Sequence, residues 1–217
     1  MKKENKAVQE PQMKLLKELM SLEALSEYCL VGGTSLSLRY QHRISVDLDL
    51  FRYNKNSNID HNRYIFEQIR SFFGDRINYS NTTKIGSFMF IDNIKVDVIE
   101  YPYSFSKIEN IDGIRIASKA DVSAMKINAI KGRGFRKDFY DLNELLKDFS
   151  LKEILDNYRE KYQVNDLEIV LRSLIYFVDA EDDLYKNNDV ISLLDESWDS
   201  IKMNIERTHK EYFKNNH

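Results

Sequence analysis

The stretch VGGTSLSLRYQHRISVDLDLF, Val31–Phe51, decides the fold. It sets Gly32 beside Gly33 in a chain that has only 7 glycines, then returns after a helix-sized gap with Asp47-Leu48-Asp49 inside an apolar run. Val46, Leu48 and Leu50 alternate with Ser45, Asp47, Asp49 and Phe51, a period of two that predicts a strand over residues 44–51. On such a strand Asp47 and Asp49 share one face, while Leu48 and Leu50 point into the core. Neighbouring carboxylates repel, and a divalent cation removes that cost. Oxygen-only ligands with room for substrate phosphates suit Mg2+. A third carboxylate, Asp97, stands in IKVDVIE with Val96 and Val98 facing the other way. If that strand neighbours the first, Asp47, Asp49 and Asp97 form a triad able to hold two metal ions about 3.5–4 Å apart, as in polymerase sites. Alone, an Asp-x-Asp pair is more often a solvated strand face than a metal site.

The glycine pair carries the complementary half. Adjacent glycines permit positive φ and let a ligand approach the backbone closely. The free N–H groups at the start of the following helix favour phosphate, and Thr34 or Ser35 can add a hydroxyl. The competing reading is a strand-to-helix turn with Thr34 as its N-cap. The helix that follows is predicted over residues 34–40, with Leu36 on its buried side.

Working outward, residues 1–12 read as a polar tail. Leu15, Leu16, Leu19, Leu22 and Leu25 follow helical spacing from Gln12 to about Cys29. A further helix is predicted over residues 62–73, and Gly86–Tyr101 reads as a hairpin turning at Asp92-Asn93. After Pro102 the pattern turns helical: residues 121–131, a break at Gly132-Arg133-Gly134, residues 136–147, and a helix capped by Ser150 with Glu153 at capping-box spacing. Residues 166–215 look helical, with breaks near Asp182 and at Asn187-Asn188. The fold class is therefore α+β (α/β), a mixed β-sheet with flanking helices followed by a helical C-terminal half. The expected organisation is a tail over 1–12, an α/β core over 13–115, and a helical region over 116–217 that completes the active-site cleft.

Between Lys126 and Lys137 lie Lys131, Arg133 and Arg136 and no acidic residue. Such a basic helix–loop–helix suits a triphosphate or an RNA end. It is also what a solvated helix end carries, with Lys137 and Asp141 as an i,i+4 surface pair.

Composition sets the limits. Charged residues make up 31% of the chain and the formal net charge is −3, so any grip on nucleic acid is local rather than global. Cys29 is the single cysteine, so no intrachain disulfide forms. The N-terminus has no apolar core and no long apolar run occurs, so neither a signal peptide nor a membrane span is expected, and the cytoplasm is the expected location. His42, His61, His209 and His217 show no metal-ligand spacing and read as surface residues.

The ordered set of a Gly-Gly turn, a helix, an Asp-x-Asp strand and a later Asp strand resembles the DNA polymerase β-type nucleotidyltransferase superfamily. Within it, GGTSLSLRYQHRISVDLDLF is similar to the signature of the AbiEii/AbiGii toxin family of abortive-infection nucleotidyltransferases, in which Arg43 and Ser45 are also signature positions. A second block, SAMKINAIKGRGFRKDFYDLNEL, resembles that family's later motif, with Lys126, Arg133, Lys137, Asp138 and Asp141 in register. The resemblance implies a nucleotidyltransferase-type sheet and a toxin of a toxin–antitoxin pair that transfers NMP from an NTP to an RNA, with a tRNA 3′ end as the expected acceptor. It implies Asp47, Asp49 and Asp97 as ligands of two Mg2+ ions. Gly32, Gly33, Thr34, Ser35, Arg43, Ser45 and Lys126 are then the nucleotide-binding set. Asp138 either orients Lys126 or positions the acceptor, and Asp141 holds Arg133 or Lys137. A cognate antitoxin is the implied partner. Two alternatives share the carboxylates: a small-molecule nucleotidyltransferase of the antibiotic-modifying kind, and a non-catalytic nucleotide-binding protein of the same fold.

Overall fold

Two alternating runs build the centre of the sheet. Strand β2 (Leu48–Arg52) buries Leu48, Leu50 and Arg52, and a second strand, Ile94–Ile99, buries Val96 and Val98. The computed structural model describes residues 6–53, 61–181 and 190–216. It divides into two compact units, one of Met1–Leu38 with Ser45–Ser118 and one of Arg39–Ile44 with Lys119–His217.

The first unit holds helix α1 (Glu10–Ser21), β1 (Tyr28–Val31), the start of α2 (Gly32–Tyr40), β2, α3 (His61–Phe73), β3 (Ile77–Thr83), β4 (Gly86–Ile91), β5 (Ile94–Ile99), β6 (Ile108–Ile111) and β7 (Ile114–Ala117). The seven strands form one sheet in the order β3-β4-β5-β2-β1-β7-β6. It is mixed: β2 runs parallel to β5 and β1 parallel to β7, and the other neighbours are antiparallel. Leu15, Leu16 and Leu19 of α1 and Ile65, Ile69 and Phe73 of α3 share one core with Leu30, Leu48, Leu50, Met89, Val96 and Val98. The period of two therefore commits the opposite face of the sheet to Asp49 and Asp97.

In the second unit α4 (Lys119–Gly132) packs on α5 (Arg136–Asp148), α6 (Leu151–Tyr162) and α7 (Glu168–Ser173). The short α8 (Val178–Glu181) and the long α9 (Trp198–Asn216) pack on α5. Phe139, Tyr140 and Phe177 gather around Trp198. Ser150 caps α6 through a complete capping box with Glu153.

Several expectations need correction. Residues 1–12 are not a uniform tail: Ala7 and Val8 are buried, and α1 starts at Glu10 with Pro11 in its first turn, where a missing N–H costs nothing. That helix ends at Ser21, and Cys29 lies inside a strand rather than at a helix end. The predicted strand over 44–51 begins only at Leu48; Val46 is exposed and Ser45 buried, the reverse of the expected phase. Helix α2 begins at Gly32 itself. After Pro102 the chain first makes the β6–β7 hairpin, with Asp112 and Gly113 both at positive φ in its turn. Strand β3 was also unforeseen, because its INYSNTT sequence is exposed nearly throughout and shows no apolar alternation. Residues 190–197 are not helical, and the expected breaks at Asp182 and Asn187-Asn188 lie outside the described residues. The β4–β5 hairpin turns at Asp92 and Asn93 as expected, both at positive φ.

The capping box gives a direct test. Ser150→Ala removes the acceptor for Glu153 N–H, and the melting temperature should fall by roughly 2–4 °C. A shift below experimental error would show that this cap contributes nothing.

Candidate active site

The parallel register of β2 and β5 sets Asp49 directly beside Asp97. The antiparallel register of β1 sets Val31 opposite Asp49, so the residue that follows, Gly32, lies against the Asp49 carboxylate. A Cβ built at Gly32 would collide with Asp49 Oδ2, and Gly32 sits at φ +68°. The positive φ requires glycine here, and a side chain would in addition have to displace the Asp49 carboxylate. The carboxylate therefore rests on the backbone that opens helix α2, where unpaired N–H groups favour anions.

Asp47 lies one residue before β2, and its main chain is tied down from two sides. The Thr34 hydroxyl donates to Asp47 O, and Gln12 Nε2 donates to the same oxygen at 3.3 Å. Thr34 Oγ1 also meets Ser45 Oγ at 2.8 Å, and the Ser45 N–H donates to Ala7 O at 3.0 Å. Thr34 and Ser45 are buried, so their hydroxyls serve the loop that presents Asp47. Ser35 is buried too, and its hydroxyl donates to Gly32 O at 2.7 Å, bracing the glycine turn from inside the helix.

Sequence reasoning missed Lys95. It precedes Asp97 by two residues on β5, so it shares the carboxylate face. Its Nζ lies 2.6 Å from Asp97 Oδ2. Burial alone would lower the Lys95 ammonium pKa, but the bond to Asp97 and the charges of Asp97, Asp47 and Asp49 hold it above its ordinary value. The spacing K-x-D was visible in IKVDVIE and carries the same alternation logic as the aspartates.

Among the described residues no three His, Cys, Asp or Glu side chains already stand close enough to hold a metal ion. The donor set nevertheless fits a hard cation. Asp49 and Asp97 are adjacent oxygen donors, and Asp97 Oδ1 is buried with no hydrogen-bond partner. Mg2+ takes one or two carboxylates and completes its shell with water and phosphate oxygens.

The second signature block is a buried ion network inside the second unit. Asp141 is fully buried and takes a bidentate pair from Arg43, Nε at 2.7 Å and Nη2 at 2.8 Å. Lys126 Nζ lies 2.6 Å from Asp141 Oδ2 and 3.1 Å from Asp138 Oδ1. Arg133, half exposed, reaches Asp138 Oδ2 at 3.0 Å. Asp138 is thus an ion-pair partner of both Lys126 and Arg133. Asp141, expected to hold Arg133 or Lys137, instead binds Arg43 and Lys126. His42, expected at the surface, is buried with Nε2 at 2.7 Å from Asp141 Oδ1, because a buried carboxylate needs every donor within reach. The strand-like contact of Arg43 with Ser192 and the Ile44 N–H bond to Ile191 O anchor the same segment. Burial would raise Asp141 and Asp138, but Arg43 and Lys126 hold Asp141 well below the usual carboxylate range, and Lys126 and Arg133 hold Asp138 below it. Burial would lower Lys126, and Asp141 and Asp138 outweigh it and raise it.

The comparisons with known proteins decide the family. A model of the nucleotidyl transferase AbiEii toxin family, a type IV toxin–antitoxin system, matches residues 14–211. The chain belongs to the AbiEii nucleotidyltransferase toxin family. An uncharacterized protein of Aquifex aeolicus (strain VF5) is 32% identical over 211 residues, covering 94% of this chain and 97% of its own. JHP933 from Helicobacter pylori shares the fold at a TM-score of 0.52 and 18% identity, over 97% of each chain. MenT4, a nucleotidyltransferase toxin from Mycobacterium tuberculosis H37Rv, shares it at 0.54 and 13% identity, over 91% of this chain and 83% of that one. No helix among the described residues of this AbiEii protein is long and apolar enough to cross a membrane.

The ion network yields a stability prediction. Lys126→Met leaves two buried carboxylates short of a cation, and unfolding free energy should fall by about 3–5 kcal/mol. The sign of the pH effect follows from the depressed carboxylates. Their contribution is complete above the ordinary carboxylate pKa of about 4 and is lost as pH falls below it toward their folded values. Urea midpoints should therefore drop on acidification from about pH 4, and less steeply in Lys126→Met. Equal midpoints for the two proteins at neutral pH would contradict the network's role.

Proposed function

We propose that this AbiEii chain transfers a nucleoside monophosphate from an NTP to an RNA hydroxyl, with a tRNA 3′ end as acceptor, as the toxin of a toxin–antitoxin pair in the cytoplasm. The observation that carries the reading is the in-register pair Asp49–Asp97 beside the glycine-opened N-terminus of α2. The Asp47, Asp49 and Asp97 carboxylates would hold two Mg2+ ions, which supply charge neutralisation on the phosphates and at the leaving group. The backbone N–H groups that begin at Gly32 and Gly33 would receive the distal phosphates. Thr34 and Ser45 fix the Asp47 loop, and Ser35 fixes the glycine turn. The acceptor oxygen forms its bond to the α-phosphorus as the bond to the bridging oxygen breaks, and pyrophosphate leaves. The Asp97 carboxylate would help take the hydroxyl proton. Positioning and fixed charge supply most of the rate. Lys126 and Arg43 were expected on the triphosphate, and their present ion pairs with Asp141 make their first effect one of stability.

The test is label transfer. With Mg2+, α-labelled nucleotide and total cellular RNA, the wild type should label a tRNA-sized band. Asp49→Asn should lose activity by roughly two orders of magnitude or more while melting as the wild type does. Full activity in Asp49→Asn would sink the assignment. Label on a small molecule alone would favour the antibiotic-modifying kind of acceptor.

A further inference from the structure

The carboxylate face contains a cation of its own. In the β2–β5 register Asp97 lies beside Asp49, and Lys95, two residues before Asp97 on β5, feels the charges of Asp97, Asp47 and Asp49. Lys95 Nζ bonds one oxygen of Asp97 at 2.6 Å and leaves the other, Oδ1, buried and without a partner. Lys95 itself is partly exposed, with 41% of its side chain accessible, so no packing forces the ammonium inward. It has water to choose and is turned to the carboxylates instead.

Resting on the metal-dependent reading above, we infer that Lys95 is a built-in counter-cation that keeps free divalent ions off Asp47, Asp49 and Asp97, so that ions load only together with the nucleoside triphosphate. The physics is a competition for one charge site. Lys95 cancels one unit of the negative charge that the carboxylates present to an arriving ion, and removing it restores that unit. A dication loses attraction to the carboxylates and gains repulsion from the ammonium. A triphosphate restores the balance, because its own negative charge draws both the ion and the flexible lysine head group. A four-carbon stem lets the ammonium move from Asp97 to a phosphate oxygen without backbone change. The device makes Lys95 a positioning residue that acts through Asp97 and sets the order of binding.

The experiment is Mn2+ titration by isothermal calorimetry or electron paramagnetic resonance, on the wild type, Lys95→Met and Lys95→Arg, with and without a nonhydrolysable NTP. Without nucleotide, Lys95→Met should bind Mn2+ at least tenfold more tightly than the wild type, and Lys95→Arg should stay weak. With nucleotide, the difference between Lys95→Met and the wild type should shrink or reverse. Circular dichroism melting checks that each variant is folded, as the partly exposed position of Lys95 leads one to expect. Equal Mn2+ affinity of wild type and Lys95→Met without nucleotide, with nucleotide-dependent binding intact, would overturn the inference and leave the metal reading standing. If no variant bound Mn2+ with or without nucleotide, the metal reading would fail and the inference with it.

Discussion

The parallel pairing of β2 with β5 is the constraint on which the site depends. One register, Leu48 with Val96 and Asp49 with Asp97, buries two apolar residues from each strand on one face and brings carboxylates together on the other. A slip of one residue would reverse both faces and bury the aspartates against α1 and α3. The hydrophobic core and the acidic face are thus the same piece of information written twice. The core fixes the register, and the register pairs the carboxylates at no separate cost in structure. Gly32 then completes the arrangement, since any side chain there would strike Asp49.

The second unit solves a different problem with similar residues. Asp141 and Asp138 are fully buried, and buried charge is tolerated only when paired and hydrogen-bonded. Arg43, Lys126, His42 and Arg133 provide those partners. Signature residues that look like phosphate ligands in the sequence are, in the folded chain, members of one interior ion network. Such a network ties α4, α5 and the 39–44 segment together, and breaking one member is far more damaging than its modest net contribution suggests.

Much of this was legible in the sequence where residues obey a period. The α3 helix, the β4–β5 hairpin with its Asp92-Asn93 turn, the α6 cap and the same-face placement of Asp49 and Asp97 all follow from alternation, helical spacing or turn chemistry. The failures have physical causes as well. Strand β3 is too exposed to alternate. The β6–β7 hairpin has strands of only four residues each, although its Asp-Gly turn was present in IENIDGIRIA. The strand around Asp47 starts late because Thr34 and Gln12 hold the Asp47 carbonyl, a long-range contact that no local pattern encodes. His42 was misread for the same reason, since its partner Asp141 lies 99 residues away. Lys95 is the instructive omission. Its position on the carboxylate face was deducible from the very period that placed Asp97.

The place where a nucleotide binds decides between these readings. A crystal structure with a nonhydrolysable NTP and Mg2+ tests this directly. Phosphates are expected at the Gly32-Gly33 end of α2, with metal density on Asp49 and Asp97 and Lys95 turned away from Asp97. A nucleotide bound elsewhere, with Asp97 still paired to Lys95 and no metal on Asp49, would contradict that expectation.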